Sequence, residues 1–509
     1  MNAKSPSTVR LTGTGMLARN TIWNLIGQGV PMVVAVFTIP LLVKGLGTDR
    51  FGILTLAWIV IGYFSLFDLG MGRALTKQVA EKLGAGQAQE IPAVTWTALA
   101  LMLFLGLVGM GVQVALSPWL VHDALKIPPA LQRGVLHAFY LLALSIPIVI
   151  SGAGLRGVLE AHQRFGLVNT VRLSMGVFTF LGPLMVLPFS RDLTHIVVVL
   201  VAGQALAWLA YLLLCVRVVP HLLHRVEIHK TMISPLLRFG GWLTVTNIVG
   251  PLMVYLDRFL IGALISVSAV TYYSTPYEVV TRLGFIPAAL SGVLFPAFAA
   301  SFMQDRDHAA RLFRRGVKYI FMVFFPLALL VVTLAHEGLA LWLGETFAHA
   351  STGVLQWLAA GVFINGLAQI PYALVQGSGR PDITAKLHLI ELPLYLATVW
   401  WLISIHGIVG AAIAWTARVA VDALLLFVVV RRMLPDSGVA MQRLGAALLA
   451  ALAVLALGAW MPGAALRLSY SIVSTSVFAV IAWIFILLPE ERGYIKSVLR
   501  QRGARFSRP

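Results

Sequence analysis

Charge is scarce in this chain. Only 11% of its 509 residues are Asp, Glu, Lys or Arg, against about 25% in a soluble domain. With 59% hydrophobic residues and a mean hydropathy of +0.88, too few polar side chains remain to cover a water-facing surface of this size. Cysteine is nearly absent too: Cys215 stands alone and excludes an internal disulfide. Long polar stretches are missing. The longest expected connections, at 118–133, 220–236, 301–316 and 336–351, are too short to house a catalytic fold, which argues against a membrane-bound enzyme. No Walker motif, glycine-rich phosphate loop or Ser-His-Asp arrangement occurs, and the twelve histidines show no metal-ligand spacing. No cofactor and no metal are therefore expected. Energy for any transport would come from a proton or sodium gradient, the substrate gradient or a partner protein.

What the chain does have is a succession of apolar runs of eighteen or more residues, each long enough to cross a hydrocarbon core of about 30 Å. Helices are expected near 17–43, 51–79, 91–117, 134–158, 166–189, 194–219, 237–264, 269–300, 317–335, 352–376, 384–405, 408–432, 442–463 and 468–489. The fold class is all-α and polytopic, with about fourteen transmembrane helices. The first nineteen residues are polar and carry Lys4, Arg10 and Arg19, as an uncleaved basic N-terminus would. With residue 1 placed inside and the loops alternating, 29 of the 38 basic residues fall on inner segments and 6 on outer ones. One missed helix would invert every later loop and destroy that bias, so both termini are expected in the cytoplasm. The net charge of +18 is spread over the inner segments rather than gathered on one surface, which excludes nucleic acid as a partner. The basic tail 490–509 includes Tyr494, Ile495, Val498 and Leu499. It either lies on anionic headgroups or is solvated.

A weak internal repeat is visible. Asn24 and Gly27 precede Pro31 in the first helix, as Asn247 and Gly250 precede Pro251 in the seventh. The stretch 158–164 at the end of the fourth helix matches 374–380 at the end of the tenth. The offsets are 223 and 216 residues, and six helices separate the equivalents, so the halves run in parallel. Such repeats place a transport site between them. The expected organisation is an N-terminal lobe at 1–219, a C-terminal lobe at 237–433, two extra helices at 442–489 and the basic tail.

Charges within spans are the informative residues, since each costs about 2.5–3.5 kcal/mol at the bilayer centre unless it meets a partner or a cavity. Asp257 and Arg258 are adjacent in helix seven. Glu278 and Arg282 are spaced i,i+4 in helix eight, as are Arg418 and Asp422 in helix twelve, so each pair shares one face. Glu391 lies in helix eleven, and Asp68 near the inner end of helix two beside Arg73. Two readings stay open for each: an inter-helix lock, or the lining of a transport path. Asn20, Asn24 and Gln28 stack at i, i+4, i+8 along helix one. Their amides suit sugar hydroxyls and equally suit helix packing.

The stretch Arg19-Asn20…Asn24-Leu25-Ile26-Gly27-Gln28…Thr38-Ile39-Pro40-Leu41-Leu42, then Leu46-Gly47-Thr48-Asp49-Arg50-Phe51-Gly52, then residues 67–77 beginning Phe67-Asp68-Leu69-Gly70-Met71-Gly72-Arg73, resembles bacterial polysaccharide-biosynthesis flippases of the Wzx type. They belong to the superfamily that also holds multidrug extruders and lipid II flippases. The resemblance implies a two-lobed carrier in the bacterial inner membrane, working by alternating access on an undecaprenyl-diphosphate-linked oligosaccharide for O-antigen or exopolysaccharide. It also implies membrane lipids as surroundings, and a polymerase and glycosyltransferases of the same pathway as partners. On that reading Asn24 and Gln28 meet sugar hydroxyls, and Arg258, Arg282 and Arg418 attract the diphosphate. Asp68, Asp257, Glu278, Glu391 and Asp422 are the ion-coupling or ion-pair candidates. The rival readings are a lipid II flippase and a cation-coupled drug extruder.

Overall fold

In a hydrocarbon core no water is available to bond backbone N–H and C=O groups, so each spanning segment closes its own hydrogen bonds as a helix. A computed structural model of the chain follows that rule. It describes residues 30–31, 33–64, 71–162, 164–219, 222–223, 226–229, 252–435, 438–487 and 489–493, and among these there is no β-strand. In chain order the helices are α1 (Val33–Leu46), α2 (Thr48–Phe64), α3 (Met71–Gly84), α4 (Ile91–Trp119), α5 (Pro129–Ala161), α6 (Phe165–Val186) and α7 (Leu193–Val218). They continue as α8 (252–264), α9 (Val267–Thr281), α10 (Phe285–Gln304), α11 (Arg306–Thr333), α12 (Ala335–Leu343), α13 (Glu345–Gly377), α14 (Pro381–Met433), α15 (Gly438–Trp460) and α16 (Ala464–Ile481). Nine helical stretches among the described residues are long and apolar enough to cross a membrane. The protein is an all-α, multi-pass membrane protein.

Two connections expected as loops are helical. The segment 301–316 is helix except at Asp305, whose side chain accepts from the His308 N–H and caps α11. The start of α11 is amphipathic: Ala309, Ala310, Phe313 and Gly316 are buried while Arg311, Arg314 and Arg315 face outward. Its charges conceal a helical period. Within 336–351, α12 and the start of α13 fill the expected loop except at Gly344. In the other direction, α14 has 53 residues, about 80 Å if continuous, far more than a bilayer needs. It is two helices meeting at Gly407, whose φ of 59° is natural for glycine alone. A Cβ added at Gly410 would overlap the Leu402 carbonyl oxygen, so the chain reverses tightly there. This matches the expected division between residues 405 and 408.

The internal repeat is present in the backbone. At an offset of 216 residues, the bounds of α5 (Pro129–Ala161) coincide with those of α13 (Glu345–Gly377), and both have 33 residues. Their ends close alike: His162 N–H donates to Val158 O and Arg164 N–H to Leu159 O, while Ser378 N–H donates to Leu374 O and Arg380 N–H to Val375 O. These two helices are also the most interior of the nine, 72% and 78% buried over their most apolar windows. The appended helices α15 and α16 are the opposite, 17% and 11% buried, and present Leu449, Leu457, Ile472 and Val477 outward.

Contacts group the chain into two compact units, Met1–Thr275 with Leu392–Ala411, and Pro276–Glu391 with Ala412–Pro509. In the first, α3, α4, α5 and α7 share a core of Leu75, Val79, Val94, Leu155, Val158 and Cys215. Close approach there depends on small residues, as is usual between membrane helices. A Cβ added at Gly157 would stand 2.6 Å from Thr76 Oγ1 and 2.7 Å from Gly72 O of α3. In the second, Phe321, Phe325, Phe363 and Phe478 form an aromatic cluster with centroids 4.7–6.2 Å apart, and α16 is pinned by Ser471 to Thr333 at 2.5 Å and Arg467 to Glu337 at 2.9 Å. We expect Gly157→Val to lower stability by about 1–3 kcal/mol through overpacking, whereas Gly111→Val, where an added Cβ meets nothing within 4 Å, leaves it unchanged. Thermal unfolding of the two variants in detergent checks this, and equal melting temperatures would refute it.

Candidate functional site

The charges of the spans sort into three arrangements. On α8, Asp257 and Arg258 are both fully buried. The Arg258 guanidinium donates to Asp257 Oδ1 at 2.9 Å, and the Tyr273 hydroxyl of α9 donates to Asp257 Oδ2 at 2.5 Å. A second contact runs from Arg258 to the Val254 carbonyl, and the guanidinium carbon lies 5.5 Å and 5.7 Å from the Tyr255 and Tyr273 ring centres. The pair is fully buried and neutral as a whole. Burying a pair is tolerable when the remaining lone pairs and protons are satisfied, and Tyr273 does that for the carboxylate.

Glu278 and Arg282 form the expected i,i+4 pair at 3.3 Å, with side chains 32% and 40% exposed. Arg282 opens the 3-10 turn Arg282–Gly284 that joins α9 to α10. Its head is accessible, as that of Arg258 is not.

The third arrangement lies within α14, whose two helices bring Glu391 against Arg418 and Asp422. Arg418 Nη1 stands 4.0 Å from Glu391 Oε2, and His388 Nε2 stands 3.9 Å from Asp422 Oδ1. One ligand atom each of His388, Glu391 and Asp422 lies within 4.8 Å of the others. Glu391 is 5% exposed, and no donor among the described residues reaches either of its carboxylate oxygens. Two carboxylates stand against one guanidinium and one imidazole, an excess of one acid over the permanent cation. The set is therefore complementary to one proton or one monovalent cation.

Glu391, Arg418 and Asp422 were legible as charges in apolar runs, but their meeting depends on the reversal at Gly407. His388 was missed. The available signal was its i,i+3 spacing from Glu391, which puts both on one helical face. Tyr273 carried no local signal, since sixteen residues and a turn separate it from Asp257. Asn24, Gln28 and Asp68 lie outside the described residues. A second group, His336, Glu345 and His349, also brings ligand atoms within 4.8 Å of one another, though spacing alone showed no such set.

The Gly47–Gly52 motif has a mechanical role. Gly47, with φ of 79°, turns the chain from α1 into α2. Thr271 donates to the Thr48 carbonyl at 2.7 Å, and Ser268 donates to the Asp49 carboxylate. A Cβ at Gly52 would overlap the Val267 carbonyl oxygen. Beside it, Lys126 Nζ donates to Leu264 O at 2.5 Å and its backbone N–H to Gly262 O at 3.0 Å. The α8–α9 turn is thus held by the α1–α2 corner and by the segment before α5.

Comparison with known proteins agrees with this architecture. Residues 17–302 match the family model described as polysaccharide biosynthesis protein. A Shigella flexneri protein named as a candidate O-antigen transporter is 32% identical over 416 residues, covering 81% of this chain and 96% of that one. The Escherichia coli lipopolysaccharide biosynthesis protein WzxC is 21% identical, covering 82% and 81%. Among solved structures, the lipid II flippase MurJ in an inward closed conformation gives a TM-score of 0.70 at 10% identity, covering 92% of this chain and 100% of that one. An inward-facing MATE family multidrug transporter of the MOP superfamily gives 0.68 at 14%, covering 81% and 98%. The chain belongs to the polysaccharide biosynthesis protein family and has the fold of the MOP-superfamily transporters.

Proposed function

We propose that this protein turns undecaprenyl-diphosphate-linked oligosaccharide repeat units from the cytoplasmic to the periplasmic leaflet of a bacterial inner membrane by alternating access, for O-antigen or exopolysaccharide synthesis. The observation that carries the reading is the 32% identity to the Shigella flexneri protein along 96% of its length. The protein acts as a carrier rather than an enzyme, has both termini in the cytoplasm, and works beside the glycosyltransferases and polymerase of its pathway.

Alternating access requires a contact between the two repeats that forms and breaks. The joint between the α1–α2 corner and the α8–α9 turn is suited to this, because its elements come from the two halves of the repeat and the topology puts both on the outer side. Its bonds are few and polar, so opening exchanges them for bonds to water at little net cost. A disulfide between Asp49→Cys and Ser268→Cys would hold the outer side closed. We expect oxidised double-cysteine protein to lose export and reductant to restore it. The native Cys215 is buried and does not compete. Full export with the crosslink formed would refute this role.

The His388–Glu391–Arg418–Asp422 set supplies coupling by taking one proton or sodium ion in exchange for substrate movement. Arg282, the accessible arginine, meets the diphosphate as a charged donor. Removing either function should spare the fold, since neither Glu391 nor Arg282 belongs to a short-range hydrogen-bonded pair as buried as Asp257 and Arg258. We expect Glu391→Gln and Arg282→Ala each to abolish polymer export at unchanged protein level, while Asp257→Asn reduces the amount of protein itself. Immunoblots and surface polysaccharide from a complemented deletion strain separate these effects. Normal export by either of the first two variants removes that residue from the mechanism.

A further inference from the structure

The first unit holds a cavity of about 300 Å³ among α2, α5, α6 and α7 that none of the charges considered so far enters. Its walls carry an unusual combination for a membrane domain. Two arginines, Arg156 of α5 and Arg172 of α6, stand with Trp58, Trp208, Tyr211 and Gln204. Arg156 lies five residues from the end of α5 and Arg172 seven from the start of α6, so each sits about 8–11 Å along its helix from the expected cytoplasmic face.

The chemistry of these groups is divided in space. Arg156 is shared with Glu160 at 3.9 Å, both side chains about one-third exposed. Arg172 is exposed, and no carboxylate among the described residues pairs with it. Two guanidinium groups against one carboxylate leave this end of the cavity with an excess positive charge. Further in, Trp208 is fixed by its indole N–H donating to Ser151 Oγ at 2.9 Å. Trp58 packs edge-on against Phe51 and Phe180 at 5.8 Å and 5.2 Å, and its buried indole N–H has no acceptor among the described residues. Gln204 adds donors and an acceptor.

Guanidinium groups bind phosphate through paired, charge-assisted hydrogen bonds. Rigid aromatic rings with a nearby amide and an unused N–H fit a hydroxylated ring, which offers apolar C–H faces and polar edges. A simple phospholipid would use the arginines and leave the polar groups of the interior without partners. We infer that this cavity binds a sugar diphosphate, with Arg156 and Arg172 on the diphosphate and Trp58, Trp208 and Gln204 around the first sugar. The inference rests on the flippase reading and specifies where the substrate head docks from the cytoplasmic leaflet.

The test is native mass spectrometry of the full-length protein in detergent, titrated separately with farnesyl-diphosphate-linked N-acetylglucosamine, UDP-N-acetylglucosamine, pyrophosphate and phosphatidylglycerol. The lipid-linked sugar diphosphate should bind tightest. Arg156→Ala with Arg172→Ala should weaken it about tenfold or more, and Gln204→Ala should weaken it while sparing pyrophosphate. Glu160→Gln removes the competing carboxylate and should tighten binding; it serves also if the double variant fails to fold. Unchanged affinity in the double variant or in Glu160→Gln overturns the inference. Phosphatidylglycerol binding as tightly makes the cavity a phospholipid site, and UDP-N-acetylglucosamine binding as tightly assigns it to a water-soluble sugar diphosphate; either overturns it as well. Export in cells separates the two levels: normal export by the double variant discards the cavity and keeps the flippase, whereas normal export by the gene deletion discards the flippase.

Discussion

The rest of the structure depends on one constraint, the lack of water in the hydrocarbon core. It makes every spanning segment helical and makes each charge in a span answerable to a partner or a cavity. It also removes the usual hydrophobic drive between helices, so close packing of small residues holds them together. At Gly157 of α5 against Gly72 and Thr76, and at Gly106 of α4 against Pro147 of α5, the approach of the helices depends on a glycine having no side chain.

Under this constraint the ionisable groups of the spans have separated into different kinds. Asp257, Arg258 and Tyr273 form a neutral, buried knot whose exchange for apolar residues of equal volume would cost little, but whose half-removal would strand a buried charge. In the α14 set the carboxylates outnumber the guanidinium by one, and no donor among the described residues reaches Glu391. The first arrangement suits architecture, and the second suits an exchangeable cation. A carrier needs both, since a helix bundle that must change shape still requires fixed points within each moving part.

Much of the fold was legible in the sequence because its signals are local. Apolar length marked the spans, and the expected division between residues 405 and 408 fell at Gly407, where α14 turns. The repeat at an offset of 216 was visible in 158–164 and 374–380 and extends along the whole of α5 and α13. The helical start of α11 was hidden because its arginines broke the apolar run while keeping a 3.6-residue period. The Glu278–Arg282 pair was legible from its i,i+4 spacing, but partners brought together across a turn were not. Glu391 meets Arg418 because of a backbone reversal, and Tyr273 reaches Asp257 across a turn. The motif Gly47–Gly52 marked the family, yet its physical basis, a close approach of Gly52 to the Val267 carbonyl, involves a partner more than two hundred residues away.

The measurement that tests the central claim most directly is made on a strain lacking this gene, with lipid-linked oligosaccharides identified by mass spectrometry and their leaflet assigned by accessibility to an added periplasmic reagent. A repeat-unit flippase predicts lost surface polymer and undecaprenyl-diphosphate-linked units retained on the cytoplasmic side. Normal polymer with no retained intermediate would contradict the account, and an inviable deletion with accumulated lipid II would replace it with peptidoglycan precursor transport.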